Sequence, residues 1–380
     1  MTAPVVVSVV MPCLNEAGSV EHCVRAAREA LGAAGLTGEV VVADNGSTDG
    51  SPELATAAGA RVVHAATRGY GAAYLEGLKA ARGRYLVLGD ADGTYDFAAI
   101  PALVAALEAG NDVVLGSRLR GTILPGAMPW LHRWVGNPAL SLILSAFFGK
   151  RVTDTQSGLR ALRREAVERM RLRTTGMEFA SEMVAMALRH GLKVAEIPIT
   201  YAPRRGHSKL RSFRDGWRHL RFMLLLSPTP LFLVPGLLML VAGLAGFAVL
   251  LPGAIHAWGL TFDYHFMFVA SAFVMLGLQL IVMGLAAKTY ARTELAVLGD
   301  RWLTWLDRWF SLERGMALGL AVLAAGAGIA LTITVQWLAS GRGNLFAVRP
   351  ALVALTFLVA GAQLVFGSFF ISVLRDDARG

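Results

Sequence analysis

Tyr85-Leu86-Val87-Leu88-Gly89-Asp90-Ala91-Asp92-Gly93-Thr94-Tyr95-Asp96 is the stretch on which the reading of this chain turns. An apolar run with the pattern of a buried strand stops at two carboxylates one residue apart. On extended backbone, residues i and i+2 point to the same side, so Asp90 and Asp92 can converge on one hard cation. In an open α/β sheet, ligands sit beyond the carboxyl ends of the strands. Two acids there, with no basic residue beside them, suit a Mg²⁺ or Mn²⁺ that also holds a diphosphate. Asp-x-Asp is equally an ordinary polar exit from a strand, so the surrounding chain has to decide.

Upstream the same pattern recurs. Val5–Met11 is a valine-rich strand ending at Pro12-Cys13-Leu14-Asn15-Glu16, and Ser19 is placed to cap a helix over Val20–Leu31. Glu39–Ala43 is a second strand, running out into Asp44-Asn45-Gly46-Ser47-Thr48-Asp49-Gly50. Arg61–His64 is a third, followed by Arg68-Gly69-Tyr70-Gly71 and a helix reaching Ala81. Strands and helices alternating at this spacing predict a mostly parallel, doubly wound sheet. Its strand ends, rich in Asp, Asn, Ser and Gly, meet on one edge that suits a nucleotide-sized ligand. Gly69-Tyr70-Gly71 is not a dinucleotide fingerprint, because position 74 is Tyr and the motif follows the third strand. Its glycines are read as allowing a tight turn and close backbone approach.

The 380 residues are 55% hydrophobic and 17% charged, with a net charge of +9. Together with a mean hydropathy of +0.52, this is too apolar for an ordinary soluble domain and points to membrane spans. The windows 231–262, 264–287, 315–341 and 350–374 contain no Asp, Glu, Lys or Arg. Each exceeds the roughly 20 residues that a helix needs to cross a bilayer core. Spans are expected over Thr229–Leu251, His265–Ala287, Met316–Trp337 and Pro350–Leu374. The first connection has no Lys or Arg, whereas the second carries Lys288, Arg292, Arg301, Arg308 and Arg314. The positive-inside rule therefore places the second connection and both termini in the cytoplasm. Trp302, Trp305 and Trp309 suggest an interfacial helix between spans two and three. No ionisable residue lies inside an expected span, which argues against an ion pathway. Small residues at Ala324-Ala325-Gly326-Ala327-Gly328 can pack helices within one chain or in a homo-oligomer. Cys13 and Cys23 suggest neither a disulfide nor a zinc site. The amino terminus reads as a first strand rather than a signal peptide, which places the soluble half in the cytoplasm.

Between the halves, Arg204, Arg205, Lys209, Arg211, Arg214, Arg218 and Arg221 are opposed only by Asp215, and Phe213, Trp217, Leu220 and Phe222 interleave them. Near an anionic leaflet each basic residue contributes about 1 kcal/mol, so lipid accounts for this charge, and no nucleic-acid motif is visible. The apolar run Ala139–Phe148 is too short to span and fits either the membrane surface or the core. His64, His132, His207 and His219 show no metal-ligand spacing and are assigned no catalytic role.

Taken in order, these motifs resemble the family-2 glycosyltransferases, in particular the polyprenyl-phosphate (dolichyl-phosphate) sugar synthases, over roughly residues 5–225. The resemblance implies a GT-A fold, an α/β nucleotide-sugar-binding sheet, here joined to a four-helix transmembrane domain. Pro12-Cys13-Leu14-Asn15-Glu16 is similar to the family's opening turn on the nucleotide pocket. Asp44-Asn45-Gly46-Ser47 is similar to its Asp-Asp-Gly-Ser turn, with Asp44 in the base-recognising role and Asn45 departing from the second aspartate. Arg68 and Gly71 are counted with this donor pocket. Asp90-Ala91-Asp92 resembles the metal motif; the Leu-Gln that follows it in many relatives is missing, which makes Asp96 the candidate third ligand. Gly116-Ser117-Arg118 has a counterpart near the acceptor phosphate, and Asp154-Thr155-Gln156-Ser157-Gly158-Leu159-Arg160 resembles an element behind the sugar pocket, with Asp154 facing sugar or acceptor. Glu178 and Glu182, four apart on one helical face, are either a solvated face or sugar contacts. Gly206-His207-Ser208-Lys209 resembles a basic loop that closes over the phosphates.

These implications predict a cytoplasmic glycosyltransferase domain over 1–202, a basic juxtamembrane segment over 203–228 and a membrane domain over 229–380. The expected reaction moves a hexose from a nucleotide sugar to polyprenyl phosphate with inversion. UDP-glucose is the favoured donor, since Gly93-Thr94-Tyr95-Asp96 and Gly126-Ala127-Met128-Pro129-Trp130 resemble dolichol-phosphate-glucose synthase-like members; GDP-mannose stays open. Arg118, Arg205, Ser208 and Lys209 are the candidates for positioning phosphate. The rival readings are transfer to another lipid or glycan hydroxyl, for which Asp154 or Glu178 would be the base, and a non-catalytic membrane scaffold or flippase.

Overall fold

The computed structural model describes residues 5–205, 212–257, 259–294 and 311–376. His207, Ser208, Lys209, Arg211, Trp302, Trp305 and Trp309 lie outside the described residues. The chain divides into two compact units, Met1–Leu225 and Leu226–Gly380.

The first unit is built on strands β1 (Val7–Cys13), β2 (Gly38–Asp44), β3 (Arg61–His64), β4 (Tyr85–Leu88), β5 (Val113–Ile123), β6 (Arg160–Arg163) and β7 (Val194–Tyr201). They form one seven-stranded sheet in the order β3-β2-β1-β4-β6-β5-β7. β1 pairs in parallel with β2 and β4, and β2 with β3, whereas β6 runs antiparallel between β4 and β5. The apolar runs follow from this placement. Val9, Val10, Val41, Val42, Val87 and Leu88 lie on central strands covered on both faces, so the alternation expected of a half-exposed strand is lost. Helices α1 (Val20–Ala33), α2 (Ser51–Ala57), α3 (Tyr70–Ala80) and α4 (Ile100–Glu108) connect the early strands. The parallel register aligns Cys13 with Asp44 and Asp44 with His64. The loops leaving the first four strands therefore open on one edge.

Two details differ from the expectation. Ser19 makes no side-chain cap on α1; its buried hydroxyl instead donates to the Ala91 carbonyl oxygen at 2.7 Å and so ties α1 to the Asp90–Asp92 turn. β5 runs past Leu115 to Ile123, with a register shift between Ser117 and Thr122 against β7. Gly121 lies in that stretch, where a Cβ would fall 2.0 Å from the Ile199 carbonyl oxygen, so the irregularity needs a residue without a side chain.

After β5, α5 (Asn137–Phe148) exposes Leu142 and buries Ser141 and Leu144, while Trp130 and Trp134 just before it are 70% and 69% exposed. Of the two expected settings for this run, the fold gives an amphipathic helix with one face open. α6 (Arg164–Met170), α7 (Phe179–Arg189) and α8 (Ser212–Leu226) complete the unit, and Ser181 Oγ on α7 lies 2.8 Å from His219 Nδ1 on α8. Cys13 and Cys23 are buried free thiols.

The second unit holds four apolar helices of 22 to 28 residues, Thr229–Leu250, Tyr264–Tyr290, Leu312–Ala339 and Val348–Arg375. Small residues set their pairings. A Cβ on Gly243 would lie 2.6 Å from the Ala270 carbonyl oxygen, and one on Gly319 would lie 2.9 Å from that of Gly361. Backbones approach this closely where the side chain is a hydrogen atom. Ser271 and Thr356 hydroxyls, 2.7 Å apart and buried, link the second and fourth helices.

Candidate active site

The turns after β1 and β2 are laced together by short polar side chains. Asn15 sits at φ +52°, a conformation that asparagine tolerates better than most residues. Its N–H donates to Ser47 Oγ at 2.9 Å, and its Oδ1 accepts from Thr48 N–H at 2.8 Å. Glu16 N–H donates to Ser51 Oγ, and Ala17 N–H to Asp49 Oδ2. Asp44 is buried and accepts from the N–H groups of Gly46 and Ser47, each at 3.1 Å, with His64 Nδ1 3.3 Å away. Burial alone would raise its pKa; the hydrogen bonds from Ser47, Gly46 and His64 outweigh that and hold the carboxyl below its usual range. An ionised acceptor is thus fixed at this edge of the sheet. His64, to which the sequence reading assigned no role, comes to it through the Asp44–His64 register.

Asn45 explains its own departure from the family's second aspartate. Its Nδ2 donates to the Thr67 carbonyl oxygen at 2.8 Å, and its Oδ1 accepts from Gly69 N–H at 2.7 Å. A carboxylate supplies no such donor. Asn45 therefore fastens the turn carrying Arg68, which is exposed and passes 3.9 Å from where a Cβ on Gly46 would be. Gly69 and Gly71 let this turn press on another backbone: a Cβ would lie 2.1 Å from the Thr175 carbonyl oxygen at the first and 2.2 Å from that of Thr174 at the second. Glu182, buried on α7, holds the opposing 173–174 backbone by accepting from both N–H groups and from Thr174 Oγ1. It is neither a solvated face nor open to a ligand.

At the end of β4 each of the two carboxylates has one oxygen held by hydroxyl or N–H donors. Asp90 Oδ1 accepts from the hydroxyls of Tyr70 at 2.9 Å and Tyr74 at 3.1 Å, and Tyr74 is itself stacked on Phe179. Asp92 Oδ1 accepts from Thr94 N–H at 3.0 Å and Thr94 Oγ1 at 2.6 Å. A Cβ on Gly158 would lie 2.6 Å from Asp90 Oδ2, so only glycine leaves that oxygen its space. Burial, and then the charge of Asp92, push Asp90 up to about 6. Two crowded acids, each with one oxygen outside its local turn, fit a divalent cation whose other positions are filled by phosphate and water. Among the described residues, no third His, Cys, Asp or Glu completes a cluster. Asp96 in particular is not brought to the pair: it is exposed and caps the following turn through Ala98 N–H. An aspartate just before a helical turn reads equally as a cap, and here the cap prevails.

Arg118 is held within the fold. It is buried at the β5 irregularity, where its N–H, Nε and Nη2 all donate to Asp154, at 3.0, 2.8 and 2.8 Å. Asp154 is fully buried, and although burial opposes ionisation, Arg118 holds its carboxyl below the usual range. The two form a closely hydrogen-bonded internal pair. Ser157 and Arg160 continue this layer: Arg160 donates to the carbonyl oxygens of Thr155, Ser157 and Ala180. Arg205 is exposed and lies over Gly93, where a Cβ would meet its Cδ at 3.3 Å. Its neighbour Arg204 bridges Glu16 and Asp92, and with Tyr70 and Tyr74 it is a site residue that the sequence did not single out.

Against known proteins, the chain is 42% identical over 370 residues to a low-salt glycan biosynthesis hexosyltransferase of Haloferax volcanii, covering 97% of this chain and 89% of that one. Residues 8–171 match the description glycosyl transferase family 2. The chain belongs to glycosyltransferase family 2. Residues 285–375 match the glycosyltransferase family 2 C-terminal transmembrane region, in keeping with the apolar helices, so this is a membrane glycosyltransferase. A dolichyl-phosphate hexose transferase of the same organism is 37% identical over 180 residues, 47% of this chain and 76% of that one. Among solved structures, glucosyl-3-phosphoglycerate synthase from Mycobacterium tuberculosis in complex with Mn²⁺ and UDP-glucose is 24% identical, over 58% of this chain and 78% of that one, with a TM-score of 0.47. Membership of a glycosyltransferase family sets aside the scaffold reading. The sheet edge, with Asp44 on β2 and Asp90 and Asp92 after β4, is where this family 2 enzyme presents its polar residues.

Proposed function

We propose that the protein transfers a hexose from a nucleotide sugar to the phosphate of a polyprenyl carrier, with inversion, at the cytoplasmic face of the cell membrane. The observation that carries this reading is the contrast between open and closed carboxylates. Asp90 and Asp92 each keep an oxygen outside their own turns, whereas Asp154, on which a hydroxyl acceptor would call for a base, is closed on Arg118. A carboxylate held by a guanidinium and ionised well below neutral pH is a poor proton acceptor. A phosphate acceptor is already anionic and needs none. The similarity to a hexosyltransferase and to a dolichyl-phosphate hexose transferase supports the sugar class and the carrier.

In this reading Asp44 and the Pro12–Glu16 turn orient base and ribose. A Mg²⁺ or Mn²⁺ on Asp90 and Asp92 supplies charge neutralisation for the departing nucleoside diphosphate. Arg205, with Ser208 and Lys209 further along the basic loop, positions phosphate, and the Arg118–Asp154 pair keeps the wall behind the sugar rigid. The chain's own contribution is alignment and electrostatic stabilisation. Direct attack by the acceptor phosphate inverts the anomeric centre. UDP-glucose is the favoured donor and GDP-mannose the competitor, and the basic residues of the second membrane connection favour the cytoplasmic orientation.

A second reading, transfer to a lipid or glycan hydroxyl, has one observation in its favour: Glu178 Oε2 is buried with no hydrogen-bond partner among the described residues. One experiment addresses both. Purified protein is incubated with Mn²⁺, a short polyprenyl phosphate and labelled UDP-glucose or GDP-mannose, and the lipid is extracted. Acid-labile lipid label from one donor, abolished by EDTA and retained in Glu178→Gln, is the expected result. Label only on a hydroxyl acceptor, lost in Glu178→Gln, would replace the first reading by the second.

A further inference from the structure

Arg204 sits between two carboxylates, one of them Asp92. Its Nη2 pairs with Glu16 Oε1, and its Nη1 lies 3.3 Å from Asp92 Oδ2. The Arg204 side chain is only 21% exposed, and its Nε is buried with no hydrogen-bond partner among the described residues. The guanidinium is therefore held by charge from two sides and not by the full fork of donors that a permanent Arg–carboxylate pair uses. Arg118 on Asp154 shows that fuller geometry in the same unit.

The backbone beneath Arg204 is fixed independently. Ala202 N–H donates to the Thr94 carbonyl oxygen at 2.9 Å, and Arg205 N–H to that of Asp92 at 3.1 Å. Asp92 Oδ1 is taken by Thr94. Oδ2 is thus the oxygen that a cation on Asp90 and Asp92 needs, and it is the one facing Arg204. A divalent ion and a guanidinium cannot both sit on it without strong repulsion.

We propose that Arg204 is a resident counter-ion: it holds Asp92 while the donor is absent, yields Asp92 to the divalent cation, and turns its side chain from a fixed backbone onto the diphosphate. This rests on the reading of Asp90 and Asp92 as the metal site. Metal alone must displace Arg204 and binds weakly, whereas metal with a nucleoside diphosphate gives Arg204 a new anionic partner. Metal and nucleotide then strengthen each other's binding, and reciprocally.

The test measures Mn²⁺ binding by electron paramagnetic resonance on the full-length protein in detergent micelles, with and without UDP and then GDP. In the unmutated protein, one of the two nucleotides should raise Mn²⁺ affinity by about tenfold or more, within the usual range of such couplings. Arg204→Gln should bind Mn²⁺ alone about tenfold more tightly and lose most of the nucleotide enhancement, with Arg204→Lys between the two. If Asp92→Asn abolishes Mn²⁺ binding but Arg204→Gln binds it no better than the parent, the metal site stands and the counter-ion role is overturned. If Asp92→Asn binds Mn²⁺ like the parent, the metal-site reading itself falls and this inference with it. Should Arg204→Gln not fold, a structure of the unmutated protein with Mn²⁺ and nucleoside diphosphate decides. Arg204 lifted off a metal-bound Asp92 is expected, and Arg204 still on Asp92 Oδ2 beside the metal overturns the proposal.

Discussion

At the end of β4, Asp90 has only hydroxyl partners among the described residues, whereas beside the β5 irregularity Asp154 has a guanidinium on both its oxygens. Burial resists ionisation of both. Asp90, with the charge of Asp92 added, is pushed up to about 6, while Arg118 holds Asp154 below its usual range. Depth alone therefore does not mark a working carboxylate. What separates the two regions is whether the fold supplies the counter-charge permanently. On the β5 side it does, and the result is a wall. On the β4 side it supplies Arg204 through a single close contact to Asp92, and the result is a site that can accept something else.

The largest stability effect falls on the closed side. Asp154→Asn leaves Arg118 buried and unpaired, which costs about 3–5 kcal/mol and should lower the melting temperature of the full-length protein in detergent. Arg118→Met combined with Asp154→Leu should recover most of that loss, and a single variant melting like the parent would erase the contrast. The sign with pH follows from the depressed carboxyl. Its stabilisation is complete above the unfolded carboxylate value of about 3.9 and fades as pH falls through the lower folded value. The parent should lose stability more steeply than the double variant below about pH 4. The smaller effect falls on the open side. Tyr74→Phe keeps the stack on Phe179 and removes one hydroxyl from Asp90. That is expected to weaken Mn²⁺ binding by about 1 kcal/mol, roughly fivefold, with little change in melting. A large melting change instead would mean that Asp90 is as structural as Asp154.

Much of this sheet edge was legible because it is local. A valine run followed by a polar turn specifies a strand end, and parallel pairing then brings Asp44, Asp90 and Asp92 to one side. Gly71 was legible for the same reason, as a glycine at a turn, although its neighbour is the distant Thr174 carbonyl. What a local motif does not show is a partner far along the chain. At the β5 irregularity Arg118 is held on Asp154, 36 residues away. Arg204 looked like one basic residue among seven, and its partner Glu16 is 188 residues distant. Ser19 reaches Ala91 rather than capping its helix, while Asp96 does cap the turn that follows it, since capping and long-range contacts draw on the same side-chain oxygens.

The most direct measurement is lipid-linked transfer from labelled donor to polyprenyl phosphate by Asp92→Asn, compared with the parent protein in Mn²⁺ and in EDTA. Loss of a cation that contributes several kcal/mol of charge stabilisation should cut turnover by on the order of a thousandfold, and EDTA should do the same to the parent. Both should leave melting close to that of the metal-free parent. Transfer at the parent rate by Asp92→Asn, unaffected by EDTA, would contradict the account.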